Sequence, residues 1–243
     1  MIGPSRYRNP LVAYDAVIFD LFGTLIPNFS TQAYEQMQRR MADILGAPFE
    51  GFQRIWGETN DARAKGQFPT LDANIVHACR ELGIPAPQAK VDAAVAVRVE
   101  MTRVVVRAVR AGAVETLTKL RLAGYKTGLI SDCTPEIPAL WRTTPLPPLL
   151  DVATFSSESG LKKPDPAIYR LTCERLRVQP ERCLYVGDGD SRELTGARAV
   201  GMTAVRIEAL VTDAGPAHVL NAEAWDGRRI ARIEQVLEVL AEG

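Results

Sequence analysis

Asp20 ends the apolar run Ala16-Val17-Ile18-Phe19 and opens Asp20-Leu21-Phe22-Gly23-Thr24-Leu25, so a carboxylate stands where a strand-like segment gives way to a glycine turn. Open α/β sheets carry their chemistry at such junctions, outside the carboxyl ends of the strands. Three more residues occupy comparable places in chain order: Ser131 after Thr127-Gly128-Leu129-Ile130, Lys163 in Lys163-Pro164-Asp165-Pro166, and Asp188 after Cys183-Leu184-Tyr185-Val186-Gly187. A carboxylate can attack phosphorus when a cation keeps its charge from repelling the phosphate dianion. Magnesium suits that task, because it prefers oxygen ligands and commonly takes one or two carboxylates plus substrate phosphate. Asp20 and Asp188 supply such a pair. Ser131, Lys163 and the turn amides of Leu21 and Phe22 are donors for the charge that spreads over the equatorial phosphoryl oxygens. Glu193, one turn into the segment after Asp188, is suited to orient a metal-bound water or to hold Lys163.

Each of these residues has an ordinary alternative when taken singly. Aspartate favours turns and helix caps, serine favours loops, and a lysine beside proline is usually solvated, as Lys162 is expected to be. Their joint order along the chain is what favours a site. Gly187-Asp188-Gly189 does not make a dinucleotide loop, since Arg192 stands where the third glycine belongs and two aspartates would repel pyrophosphate.

The elements that must position these residues are legible as short apolar runs near 15–20, 125–131, 151–156, 183–187 and 203–207, separated by segments of helical period. That alternation predicts a largely parallel sheet covered by helices, including one over 112–123 and a C-terminal one over 228–240. About 100 residues separate the first two strands, far more than the dozen a crossover needs. Within them, 31–45, 71–82 and 88–109 carry helical periodicity, broken at Gly46-Ala47-Pro48, Gly66-Gln67-Phe68-Pro69 and Gly83-Ile84-Pro85. An inserted bundle of three or four helices is predicted, with hinges near 27–30 and 108–112.

The chain resembles the haloacid dehalogenase-like hydrolase superfamily from Asp15 to about Ile207. The resemblance is carried by Asp20-Leu21-Phe22-Gly23-Thr24-Leu25, Leu129-Ile130-Ser131-Asp132, Ser157-Glu158-Ser159-Gly160-Leu161-Lys162-Lys163-Pro164-Asp165-Pro166 and Val186-Gly187-Asp188-Gly189-Asp190-Ser191-Arg192-Glu193. It implies a three-layer α/β/α Rossmann-like core over 1–27 and 110–243, and a helical cap domain over 28–109. It further implies Asp20 as nucleophile, Ser131, Lys163 and Glu193 as its catalytic partners, and Leu21, Phe22, Ser131, Asp132 and Lys163 around the substrate. Mg2+ would be held by Asp20, Asp188 and the backbone carbonyl of Phe22. The expected activity is that of a magnesium-dependent phosphatase acting on a small phosphorylated metabolite through an aspartyl-phosphate.

One position departs from the pattern. Most phosphatases of the superfamily carry Asp two residues after the nucleophile, where it protonates the leaving oxygen; here the residue is Phe22. Loss of a general acid removes about 10²–10⁴-fold of rate. Three outcomes stay open. The first is a phosphatase with another acid or with good leaving groups, for which Asp132, Asp190, Glu58, Asp61 and His77 are candidates. The second is a 2-haloacid dehalogenase using Asp20 to displace halide, with Arg39, Arg40, Arg54 or Arg63 as the halide-binding cation. The third is a phosphate-binding module without turnover. Substrate choice is expected in the insertion, where Asn28, Phe29, Arg63 and Phe68 lie at its entry or breaks.

Bulk composition excludes some classes of function. Among 243 residues, Lys plus Arg and Asp plus Glu each total 29, so no overall field draws the chain to nucleic acid or an anionic membrane. The four cysteines form no C-x-x-C pair and no zinc spacing, which predicts reduced, packed thiols in a cytoplasmic protein. Arg6 and Arg8 are not followed by a leader-like apolar run, and no window reaches the roughly 18 apolar residues of a membrane span. A monomer is the default expectation, with a dimer left open.

Overall fold

The computed structural model describes residues 14–210 and 223–242; Arg6 and Arg8, on which the leader reading turned, lie outside them. Six parallel strands form one sheet in the order β3-β2-β1-β4-β5-β6: β1 Ala16–Phe19, β2 Lys126–Ser131, β3 Val152–Phe155, β4 Cys183–Gly187, β5 Thr203–Ile207 and β6 Arg229–Ile230. β1 is central and wholly buried, which is why its sequence is continuously apolar rather than alternating. Successive side chains point to opposite faces. Val17 and Phe19 join one core with Leu117, Leu129, Val186 and Val236, while Ala16 and Ile18 join the other with Ile130, Tyr169, Tyr185 and Leu194.

The helices are α1 Thr31–Leu45, α2 Phe49–Glu58, α3 Asn60–Ala64, α4 Leu71–Glu81, α5 Gln88–Arg107, α6 Ala113–Leu122, α7 Ile137–Trp141, α8 Ser156–Ser159, α9 Pro166–Leu176, α10 Glu193–Ala199 and α11 Val236–Glu242. They cover both faces of the sheet, giving the three-layer arrangement. The first five lie between β1 and β2, and α1, α2, α4 and α5 share a third apolar core that includes Met41, Phe52, Trp56, Ile75 and Val91. Ser30 starts α1 by accepting a hydrogen bond from the Ala33 amide at 3.0 Å, and Gly46 ends it in the left-handed conformation.

Two readings are corrected. The insertion holds five helices rather than three or four, because Phe52, Ile55 and Trp56 give 49–58 a helical face of its own. The predicted helix over 228–240 is shorter: Arg229–Ile230 adds an edge strand to β5, and only Val236–Glu242 is α-helical. Ile230 and Ile233 are buried in the same core as Val236, so burial was read correctly but its period was not.

Candidate functional site

In a sheet of this order the chain leaves β1 toward β2 on one side and later returns on the other side as β4, which creates a crevice at the carboxyl end of β1. Phe19 is level with Leu129 of β2 and Val186 of β4. Asp20, Ser131 and Asp188 therefore emerge at the same end of three adjacent strands. The Asp20 amide donates to the Val186 carbonyl at 2.9 Å, which fixes the first carboxylate beside the strand that carries the second.

Asp20, Asp188 and Glu193 each present a carboxylate oxygen within 4.8 Å of the others, and all three are buried. Lys163 Nζ lies 2.5 Å from Asp20 Oδ1 and 2.5 Å from Glu193 Oε2. Glu193 is held further by the Tyr185 hydroxyl at 2.8 Å and the Gly189 amide at 3.0 Å. Asp188 accepts from the Asn28 amide at 2.8 Å and the Asp190 backbone at 3.0 Å. Two glycines make this density of groups feasible. A Cβ on Gly23, whose φ is 75°, would stand 2.0 Å from Asp188 Oδ2, and one on Gly187 would stand 2.1 Å from Glu193 Oε1.

Burial, then the charge of Glu193, holds the Asp20 carboxyl well above the usual range against the pull of Lys163. Burial likewise raises Glu193 and Asp188. Lys163 is pushed down by burial, but Asp20 and Glu193 outweigh this and hold it well above an ordinary lysine. Three carboxylates around one ammonium leave an excess of two negative charges when all are ionised, and buried charge of that kind calls for a counter-ion. The hard oxygen donors suit a divalent cation such as magnesium.

Ser131 is fully buried, and its hydroxyl has no hydrogen-bond partner among the described residues. Asp132 accepts from the Lys163 amide through Oδ1 at 3.0 Å, while Oδ2 is without a partner among the described residues. Burial raises Asp132 too, with Lys163 opposing. Leu21 packs its side chain into the core and accepts through its carbonyl from Leu25 and Ile26 at 2.8 and 3.0 Å, tightening the turn after Asp20. Phe22 and Asp132 line a cavity of about 120 Å³ beside the cluster, together with Asn28, Phe29, Lys162 and Asp190.

The adjacent lysines separate clearly. Lys163 reaches the carboxylates, whereas Lys162 pairs with the exposed Asp61 at 3.3 Å. Among the other candidate acids, Glu58 pairs with Arg54, Lys65 holds Asp61 below its ordinary value, and His77 packs on Phe68 with ring centres 5.3 Å apart. Arg39 is exposed and paired with Glu35, and Arg40 is exposed.

Arg63 is a correction: it neither lines the cavity nor reaches the surface. It is fully buried under Trp56 and donates to Trp56 O, Thr59, Asn60 and Asn74 at 2.7–3.2 Å. Phe68 also lies away from the cavity. Sequence reasoning missed Arg98, Glu136 and Arg110. Arg98 of α5 reaches Glu136 at 2.9 Å and lines the cavity. Its signal was a cation on the apolar stripe Val91, Ala94, Arg98, Thr102, Val105. Arg110 donates to the carbonyls of Gly23 at 2.6 Å and Thr24 at 2.5 Å, clamping the turn that carries Phe22.

Comparison with known proteins gives a consistent result. The family described as haloacid dehalogenase-like hydrolase matches residues 14–201. (S)-2-haloacid dehalogenase 4A of Burkholderia cepacia is 27% identical over 202 residues, covering 79% of this chain and 82% of the relative. Glyceraldehyde 3-phosphate phosphatase of Methanopyrus kandleri is 27% identical over 197 residues, covering 79% and 83%. Some similarity is more local: a Drosophila melanogaster protein is 35% identical over 97 residues, and there the chain spans 37% of the relative's length. The crystal structure of 2-haloacid dehalogenase from Pseudomonas syringae shares the fold, with a TM-score of 0.68 at 23% identity over 94% of this chain and 99% of that one. Among the described residues, no helix is long and apolar enough to cross a membrane.

Proposed function

Given that the chain belongs to the haloacid dehalogenase-like hydrolase family, and so to a family of enzymes acting on small molecules, we propose that it is a magnesium-dependent phosphomonoesterase working through Asp20. The observation that carries this reading is the buried trio Asp20, Asp188 and Glu193, of which only Asp20 and Glu193 are paired with an ammonium, that of Lys163. Asp20, Asp188 and the Phe22 carbonyl would hold the ion, and Glu193, occupied by Lys163, Tyr185 and Gly189, would steady the group rather than ligate. Bound magnesium supplies Lewis-acid polarisation of the phosphoryl group.

An Asp20 oxygen forms a bond to phosphorus as the ester P–O bond breaks. Lys163 and the unpartnered Ser131 hydroxyl donate to the phosphoryl oxygens. Asp132 is the acid that replaces the one missing at Phe22: it faces the cavity, has an oxygen free of partners among the described residues, and is kept protonated to higher pH by burial. It gives its proton to the leaving oxygen, then takes one from the water that attacks the aspartyl-phosphate. That attack breaks the bond to Asp20 and releases inorganic phosphate. The helices between 28 and 109, with their own core, form a cap that shields the site. The four free thiols support a cytoplasmic location.

A second reading rests on Phe22, whose ring leans on Phe29 with centres 5.3 Å apart and gives the cavity an apolar wall. Displacement of halide from carbon needs no proton donor there. The two readings separate in one experiment: phosphate release from a panel of phosphomonoesters and halide release from 2-haloacids, each with magnesium and with chelator. Magnesium-dependent phosphate release supports the first, and chelator-insensitive halide release overturns it.

A further inference from the structure

The cavity beside the carboxylates has a wall that the proposed chemistry does not use. Phe22, Phe29 and Tyr34 succeed one another along it, with ring centres 5.3 and 5.9 Å apart. The guanidinium carbon of Arg98 lies 5.0 Å from the Phe29 ring centre and 5.4 Å from that of Tyr34. Arg98 is only 3% exposed, and its nitrogens are unequally satisfied. Nε donates to Glu136 Oε1 at 2.9 Å and Nη2 to Thr134 Oγ1 at 3.3 Å. Nη1 has no hydrogen-bond partner among the described residues. A buried donor on a charged group is costly to leave unmade, and folded proteins rarely keep one without a ligand or water to complete it.

The surroundings of that donor restrict what could complete it. Glu136 already balances the charge of Arg98; its Oε1 also accepts from Thr134 at 2.7 Å, and its Oε2 has no partner among the described residues. A carboxylate brought to Nη1 would meet this second negative charge at low dielectric, whereas an uncharged oxygen would not. Size is restricted as well. At 10–15 Å³ for each water-sized probe, the cavity volume corresponds to on the order of ten heavy atoms. The aromatic wall favours a flat apolar body over a polyhydroxylated one.

We propose that Arg98 is a specificity-determining residue whose Nη1 takes an uncharged carbonyl oxygen on the non-reacting part of the substrate, while the apolar body of that part lies against Phe22 and Phe29. Resting on the phosphatase reading, this names the substrate class as compact phosphomonoesters whose leaving group is a flat, carbonyl-bearing alcohol or phenol. Glu136 acts through Arg98 as its positioning residue.

The test uses leaving groups alone, so that it does not depend on which bond the enzyme cleaves. Binding of para-hydroxyacetophenone, para-isopropylphenol and para-hydroxybenzoate to the full-length protein is measured by calorimetry. The ketone should bind about ten-fold tighter than its isopropyl isostere, the ratio expected of one hydrogen bond to a charged group, and the carboxylate should show no such gain. Arg98→Met/Glu136→Gln removes both charges together and should erase the preference. Arg98→Lys keeps the charge but loses the fork of donors, and should reduce the preference even if the double variant fails to fold. Equal binding of ketone and isostere by the unmodified protein, or a preference that survives in the double variant, overturns the proposal. The phosphate esters of the two neutral phenols are then assayed for turnover. A binding preference without phosphate release breaks the phosphatase reading and spares Arg98; turnover of both esters at equal affinity does the reverse.

Discussion

Two buried ionic clusters differ in a way that separates chemistry from architecture. Around Arg63, a single cation is surrounded by uncharged oxygens of Trp56, Thr59, Asn60 and Asn74 and by the Trp56 ring. Burial lowers its pKa only to about 10, so it stays charged at neutral pH. Around Lys163, three carboxylates crowd one ammonium, and burial raises all three. The first cluster carries one charge held by uncharged groups, with only Arg63 Nε unpartnered among the described residues; the second has more negative charge than the chain neutralises. Burial and charge are common to both, and the uncompensated balance is what marks a site for a cation and an anionic substrate.

The largest effect should come from the carboxylate proposed to react. Asp20→Asn keeps the shape and removes the proposed nucleophile, so phosphate release should fall by more than about 10³-fold, as for loss of a covalent nucleophile that acts within a unit. Steady-state release and trapping of the phosphorylated enzyme measure this. Retention of even a tenth of the activity would move the chemistry to another group.

Next in size is the proposed proton donor. Asp132→Asn should slow alkyl phosphomonoesters by about 10²–10³-fold, within the range of general acid catalysis, and aryl or acyl phosphates much less, because their leaving oxygens need no proton. Equal losses across leaving groups would assign Asp132 a positioning role instead. The adjacent lysines give a narrower contrast: Lys163→Ala should cost at least about 10²-fold in kcat through loss of transition-state charge stabilisation, and Lys162→Ala only a few-fold, since Lys162 faces Asp61. Matching effects of the two would erase the distinction drawn between them.

Much of the carboxylate cluster was legible in the sequence because its geometry is set locally. An apolar strand, an aspartate and a glycine turn form a unit of a few residues, and parallel strands bring such units to the same end of the sheet. Asp20 and Asp188 converge for that reason, with Ser131 at the same end of the adjacent strand, and Lys163 and Glu193 reach them from the segments that follow β3 and β4. The cavity wall was much less legible. Arg98 meets Glu136 across 38 residues and Arg110 meets Gly23 across 87, contacts fixed by how α5 packs rather than by any local pattern. Arg63 misled because arginine is usually exposed, and its burial depends on a tryptophan and two asparagines that only the packed helices bring together. The C-terminal helix was overextended because Ile230 and Ile233 continue an apolar spacing that the sheet edge uses as strand and turn.

A smaller, structural effect tests the Arg63 cluster. Arg63→Met should leave the side-chain oxygens of Asn74 and Asn60 without their donor and destabilise the protein by about 1–3 kcal/mol, the cost of orphaned buried polar groups. Denaturant titration measures this, and kcat well below the unfolding transition should not change. A drop in kcat without loss of stability would bring Arg63 back into the functional site.

The smallest effect is a thermal shift whose sign follows from the raised carboxylates. In the folded protein without metal, Asp20, Asp188 and Glu193 keep protons that the unfolded chain gives up near ordinary values of 3.8 for aspartate and 4.5 for glutamate. The folded state therefore binds more protons than the unfolded one above those values, and its stability falls as pH rises through the window up to the raised pKa values. A divalent cation displaces those protons, so its affinity climbs over the same window. Magnesium at about ten times its dissociation constant should raise Tm by a few degrees at pH 8, and by less at about pH 5. Differential scanning calorimetry with and without magnesium at the two pH values measures the difference. Asp188→Asn should lower the magnesium gain at pH 8 while stabilising the metal-free protein, because it removes one of the surplus charges. A gain independent of pH, or one that survives this substitution, would place magnesium elsewhere on the molecule.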